Sequence, residues 1–398
     1  LKTNRNRRSD KEEIAVRAIA VKEFRELRRD RRTLAMLFLL PFLFLVVFGY
    51  AASFDIRDVP TVIVGPGAQA VATALPPTFD VVATDSDGDR AAAQDELRRG
   101  EAVIAVVTPT TSGGAATVLI DGTELFAAQA ALRSLAELRA AGATGGAGRL
   151  PLGGVASPIR VSVLYNPGLR TAVIMIPGLC GIVLVFVGTV ATALGVVRER
   201  QSGTMEQLAV MPFRPRDVFL GKIAPYLLIA TLDMVIVVVA GMLLFDVPFR
   251  GSVATFALGA LLFLFVTLGT GVLISSVSQT QGQALQLAVF TMVPQFLLSG
   301  LFFPLYSMPW GVRWIGYILP LTWFIKVARG VMVRGAPIGA LWLPLGILAA
   351  MAVVVFTAST LRFRRDLAPA DGPEDEDSTA GPEAALGTAD QTATGSAA

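Results

Sequence analysis

Residues 171–197 read TAVIMIPGLCGIVLVFVGTVATALGVV, twenty-seven positions without a charge, and residues 198–222 continue RERQSGTMEQLAVMPFRPRDVFLGK. The hydrocarbon core of a bilayer is ~30 Å thick and a helix crosses it in about 20 apolar residues. The first stretch is long enough to cross with a tilt, and the second is its aqueous flank. Backbone amides in lipid must be satisfied within the segment, so a crossing stretch is a helix. Five further stretches have the same character: 34–51, 223–245, 253–275, 284–303 and 341–361. Another, Trp314 to Ile325, is apolar but short and is broken by Pro320, which predicts a re-entrant or interfacial segment within 304–340.

The composition agrees. Of 398 residues, 53% are hydrophobic and only 16% charged, against about 25% charged in an ordinary soluble domain. With no histidine and a single cysteine, Cys180, the chain excludes a disulfide framework, a Cys/His metal site and any imidazole-based catalysis. The sequence offers no catalytic constellation, no cofactor site and no feature pointing to nucleic acid. The fold class expected is an α-helical polytopic membrane protein of six transmembrane helices.

Orientation follows the arginines and lysines beside the spans. Arg25, Arg28, Arg29, Arg31 and Arg32 precede the first span. Arg198, Arg200, Arg214, Arg216 and Lys222 follow the second, and Arg362, Arg364 and Arg365 the sixth. Six spans put all three clusters in the cytoplasm together with both termini. Arg313, Lys326, Arg329 and Arg334 oppose this unless they snorkel at the outer interface. No cleavage site of the A-x-A type follows the basic start, so the first span is expected to be an anchor. The expected location is a bacterial cell membrane.

Three pieces lie outside the spans. Residues 1–33 carry a basic amphipathic helix, with Val16, Ala20, Phe24 and Leu27 on one side and Arg17, Arg25, Arg28 and Arg29 on the other, suited to a lipid surface or simply a charged flank. Residues 52–170 alternate strand-like runs (59–64, 79–84, 103–108, 117–121, 160–165) with helical ones (89–99, 124–141), predicting a small extracytoplasmic α/β domain between spans one and two. It holds twelve acidic residues against nine arginines, and 142–154 reads as a glycine-rich linker. Asp85, Asp87 and Asp89 have the look of a calcium loop, but Gly88 falls at the wrong place, which favours a plain turn. Residues 368–398, acidic and without Lys or Arg, are expected to be a disordered part of a cytoplasmic tail, 362–398.

In the 198–222 loop, Thr204 can cap a short helix opening with Met205, Glu206 and Gln207, which Pro212 and Pro215 end. On residues alone, an ordinary charged loop stays open. The loop, however, resembles the signature of ABC-2-type transporter permeases through Arg198, Glu199, Arg200, Gly203, Thr204, Glu206, Gln207, Leu208, Pro212, Arg214, Pro215, Gly221 and Lys222. YNPGLRTAVIMIPGL (165–179) and LSGLFFPLYSMPWGVRWIGYILPLTWF (298–324) look like the same family's approach to span two and its loop after span five. The resemblance implies a dimeric pathway of two permease chains, identical or paired, driven by two cytoplasmic ATPase subunits that hold the ATP and magnesium. It implies that 198–222 docks on the ATPase as a coupling helix, beside the surface helix carrying Phe24, Arg25 and Arg28. Arg214 and Arg216 then face acidic groups of the ATPase or lipid phosphate. No G-x-x-x-x-G-K-[ST] motif occurs, so the chain is not expected to be an enzyme.

Asp233, in the middle of span three, is the translocation-pathway candidate, since a carboxylate at that depth is costly; a hydrogen-bonded packing role is the alternative. Two other functions fit parts of the sequence: a secondary transporter using Asp233, and a non-transporting protein that displays the 52–170 domain. A drug or lipid-like cargo is the expectation for the exporter.

Overall fold

The computed structural model describes residues 58–110, 114–145, 150–152, 155–157, 159–202 and 215–367, with five positions between 35 and 45 that are helical and exposed (Ala35, Leu39, Pro41, Phe42, Leu45). The first expected span, the amphipathic helix with Phe24, Arg25 and Arg28, and the acidic stretch 368–398 lie wholly or mostly outside these residues.

The α/β unit forms between them. Strand β1 (Val59–Val64) is an interior strand of a five-stranded sheet of order β2-β1-β3-β4-β7, with β2 Phe79–Asp85, β3 Ile104–Val107, β4 Ala116–Asp121 and β7 Ile159–Leu164. Pairing is parallel except between β3 and β4. A strand covered on both faces needs a continuous apolar run, and β1 is one. Val59 and Ile63 enter one core with α1 (Ala68–Ala72) and the helix α3 (Leu125–Gly145), while Val62 and Val64 pack against Ala93 and Leu97 of α2 (Arg90–Arg99) on the other face. Asp89 caps α2, its Oδ1 accepting from the amides of Ala91 and Ala92, and Asp85 accepts from the amide of Asp87. The aspartates of the supposed calcium loop thus serve a cap and a turn. The linker expected over 142–154 is replaced: α3 continues to Gly145 and a hairpin, β5 (Leu150–Leu152) with β6 (Val155–Ser157), follows.

The remainder is helical. A 31-residue span, Thr171–Gln201, consists of α4 (Thr171–Val185), a π-helical stretch (Phe186–Ala191) and α5 (Thr192–Gln201). After it come α6 (Pro215–Phe245), α7 (Val253–Val277), α8 (Gln281–Leu298), α9 (Trp310–Ile318), α10 (Pro320–Arg329, prolonged by a π turn to Arg334) and α11 (Trp342–Leu367). Among the described residues, four helices are long and apolar enough to cross a membrane, and five if the bent pair α9–α10 counts as one. The six expected crossings are therefore not all met among the described residues. The fifth, expected over 284–303, closes at Leu298, where Ser299 and the left-handed Gly300 (φ +84°) turn the chain. Four glutamines within α8 also make it less apolar than its neighbours. The break at Pro320 is real: the two arms bend by 76°, the geometry of a broken span or a re-entrant loop.

Two spans lie at the centre of the bundle: of the most apolar 18 residues in each, 67% are buried in Thr171–Gln201 and 61% in α7, against 22% in Ala224–Phe245 and 28% in Ile338–Arg362. Leu228, Leu232, Val235, Ile236, Val239 and Leu243 of α6 accordingly face outward. The central pair approach closely because glycine permits it: a Cβ on Gly271 would stand 2.8 Å from the Thr189 carbonyl and 2.9 Å from that of Gly188. Gly271→Ala is expected to cost about 1–3 kcal/mol, the usual range for overpacking. Gly346→Ala on α11, where no atom lies within 4 Å, should cost nothing. Thermal unfolding of the two variants in detergent checks the contrast; equal effects would refute the close packing.

Candidate functional site

The signature region is only partly described. Arg198, Glu199 and Arg200 form the last turn of α5, while Gly203, Thr204, Glu206, Gln207, Pro212 and Arg214 lie outside the described residues. The described end is firmly held. The Arg200 guanidinium donates to the carbonyls of Ser275 (3.3 Å) and Ser278 (3.4 Å), which are left free as α7 ends. Gln281 at the start of α8 donates to Gln201 Oε1 at 3.0 Å. Tyr226 of α6 is seated on Gly195, where a Cβ would fall 1.8 Å from its hydroxyl. The ends of α5 and α7 and the start of α8 therefore meet where the signature begins, with Tyr226 of α6 beside them.

Asp233 is half-buried on α6, between outward-facing Leu232 and buried Met234. Among the described residues it has no ion pair or hydrogen bond.

The best-formed polar site was not anticipated. It lies where the α/β unit sits on the bent pair, and the unit is fastened there in two ways. The first is the chain itself: Asn166 Nδ2 donates to the carbonyls of Gly122 and Arg170 (3.2 and 3.1 Å), and its Oδ1 accepts from the Arg170 amide (3.0 Å). One side chain thus ties the end of β7, the β4–α3 turn and the start of α4. The second is a pair of ion pairs reaching across some two hundred positions of sequence. Arg334 Nε lies 3.4 Å from Asp121 Oδ2, and Arg329 Nη1 lies 3.2 Å from Glu124 Oε1; Arg329 Nη2 also donates to the Leu301 carbonyl. Asp121, Arg329 and Arg334 are buried. Arg334 fits only because position 100 is glycine, whose Cβ would lie 2.0 Å from Nη1 and whose φ of +75° favours glycine in any case.

These arginines were expected to snorkel at the interface. Instead they turn into the protein, since two carboxylates of the α/β unit neutralise them more fully than water at a rim would. Arg313 likewise bonds inward, to the carbonyls of Met308 and Tyr306, and Arg250 to that of Val333. A cavity of about 270 Å³ opens beside the ion pairs, with Ser299, Tyr306 and Lys326 among its lining groups. Lys326 Nζ sits 4.6 Å from the Trp323 ring centroid. Burial holds the Tyr306 hydroxyl well above its usual range, so it stays protonated. Burial also raises the Asp121 carboxyl, and the Arg334 guanidinium and the Thr123 amide pull it partly back.

Asp121→Asn leaves Arg334 buried without its counter-charge and should cost about 3–5 kcal/mol. Adding Arg334→Met should recover most of that loss. Costs that simply add in the double variant, read by thermal unfolding, would refute the ion pair's role.

Residues 31–361 match the profile of a family described as ABC-2 family transporter protein. The chain is 32% identical over 201 residues to "Probable multidrug ABC transporter permease YbhR" of Escherichia coli K12, covering 50% of this chain and 55% of that protein. It is 28% identical over 371 residues to "Probable multidrug ABC transporter permease YbhS" of the same strain, covering 88% and 97%, and 31% identical over 212 residues to its "Inner membrane transport permease YhhJ", covering 51% and 54%. The matched region therefore spans about half the length of YbhR and YhhJ and nearly all of YbhS. With the profile extending over most of its length, the chain belongs to the ABC-2 family of transporter proteins.

Proposed function

We propose that this chain is the membrane-spanning subunit of an ATP-driven exporter, working as a dimer of permease chains and coupled through 198–222 to a separate cytoplasmic ATPase that holds ATP and magnesium. One observation carries the reading. The α/β unit is fastened to the start of the 31-residue span at Thr171, and the signature begins where that span stops at Gln201. At 1.5 Å per residue the span is ~45 Å long, more than a bilayer's hydrocarbon core. The unit and the signature therefore belong on opposite faces. With the basic signature in the cytoplasm, both termini are cytoplasmic, six spans complete the crossing, and the α/β unit is outside.

The printed names of YbhR and YbhS contain "multidrug", which supports a lipophilic drug or lipid-like cargo. Asp233 is the pathway residue in this reading. It sits on the helix least covered by the rest of the chain, where a second copy would enclose it.

Replacing Glu206 and Gln207 together by Ala should lower ATP-driven transport about 5- to 150-fold, the span of ordinary coupling free energies, while insertion and ATPase binding persist. Transport by the double variant at the normal rate, measured in vesicles with the co-purified ATPase, would sink the coupling role. Asp233→Asn should reduce transport more than expression; equal losses in both would mark a packing residue.

A further inference from the structure

Three buried polar atoms with no hydrogen-bond partner belong to residues that line one cavity: Ser299 Oγ, Tyr306 Oη and Arg329 Nε. Buried polar groups are otherwise partnered as a rule, and an orphan costs free energy. Their clustering around a single space of about 270 Å³ means that the space is completed by polar matter. It exceeds many times the roughly 10–15 Å³ a single water needs.

The donor set names the chemistry. The Arg329 Nε can only donate, and so can Lys326 at the mouth. Tyr306 remains protonated and Ser299 is a hydroxyl, so each can donate too. Asp121 and Glu124 are already matched by Arg334 and Arg329, which leaves Lys326 with no carboxylate in ion-pair contact among the described residues, although Glu124 acts on it at longer range. Glu101 stands at the exposed rim, hydrogen-bonded to Glu96. An occupant must therefore bring several acceptor oxygens and a negative charge. It must also be small, with some apolar body to meet Leu305, Ile325 and Val103.

We infer that this cavity binds a small organic oxyanion, a carboxylate or phosphate ester, between the α/β unit and the bent helix pair. Ser299, Tyr306 and the Arg329 Nε hold the oxygens, and Lys326 closes the mouth over Trp323. The same group can arrive as a soluble molecule or as the headgroup of an anionic lipid. Because the site is built from this chain alone, its test needs no ATPase and its failure leaves the export reading standing.

The full chain is placed in phosphatidylcholine nanodiscs and titrated with sn-glycerol 3-phosphate, following tryptophan fluorescence and the unfolding temperature. A parallel sample uses discs containing phosphatidylglycerol. Saturable change with the soluble probe assigns a free anion. A higher unfolding temperature in phosphatidylglycerol discs, with no further response to the probe, assigns a lipid headgroup. Tyr306→Phe and Ser299→Ala remove orphan hydroxyls, so they should leave the unliganded protein as stable as before or more so. Each should nevertheless weaken binding about tenfold, the loss expected for one hydrogen bond to a charged group. Lys326→Gln should weaken it similarly. The inference is overturned if neither the probe nor the lipid gives a saturable response, or if the three variants bind like the parent.

Discussion

Two buried ion pairs, Arg334 with Asp121 and Arg329 with Glu124, determine how the α/β unit sits on the helical bundle. Charges taken out of water lose several kcal/mol each, and attraction in the interior repays this only in good geometry. Such pairs are poor stabilisers compared with apolar packing. They are strict about placement, however. If the unit docked in any other orientation, two guanidiniums would lie buried without counter-ions. The chain also joins the unit to the bundle at Asn166, and the ion pairs, reached through Glu124 at the start of α3 and Asp121 at the end of β4, fix its orientation there.

From there, contacts run without a gap to the far end of the molecule. The arginines stand on and just beyond α10, whose Phe324 stacks on Phe263 of α7 at 4.6 Å and 11°. A Cβ on Gly259 of α7 would touch Val327, and one on Gly181 of α4 would strike Leu321 and Phe324. Further along, α7 meets the span Thr171–Gln201 at Gly271, and its last carbonyls accept Arg200. Movement of the bent pair as a rigid body would therefore reach the start of the signature through packed side chains and two backbone bonds. Energetic coupling along such a contiguous chain is measured by whether both ends bias the same two states.

Much of this was legible in the sequence, and the reasons differ by element. Strand β1 is buried at five of six positions because both its faces are covered, and its run of Val62, Ile63 and Val64 reads directly as a strand. The span at 171–201 and the break at Pro320 follow from length and from proline's missing amide. The end of α8 was misplaced because hydropathy continues through Leu301, Phe302 and Phe303, whereas the helix stops on the backbone preference of Gly300. The hairpin after Gly145 was missed because short glycine-rich pairs carry little side-chain signal. The ion pairs were beyond reach for another reason. Asp121 and Glu124 looked like ordinary ends of a strand and a helix, and nothing in one sequence says which cation two hundred positions away they meet. The one available hint was negative: arginines clustered in an apolar segment on the side where the charge bias expected none.

That hint now has a physical explanation. The positive-inside bias acts on cations that remain exposed to lipid headgroups and to the membrane potential. Arg329 and Arg334 are cancelled by carboxylates, Arg313 and Arg250 are spent on backbone carbonyls, and Arg170 lies 3.8 Å from Asp246 with a bond to the Phe245 carbonyl. Of the lysines and arginines near the α/β unit's end of the bundle, Lys326 is left, and its ammonium lies over an aromatic ring at the mouth of a cavity. The raw count of arginines between 304 and 340 therefore overstates the positive charge available at that surface. Counted by what each cation touches, the asymmetry between the two ends is wider than the sequence alone conveys. The same ion pairs that orient the α/β unit also remove the main objection to placing it outside the cell.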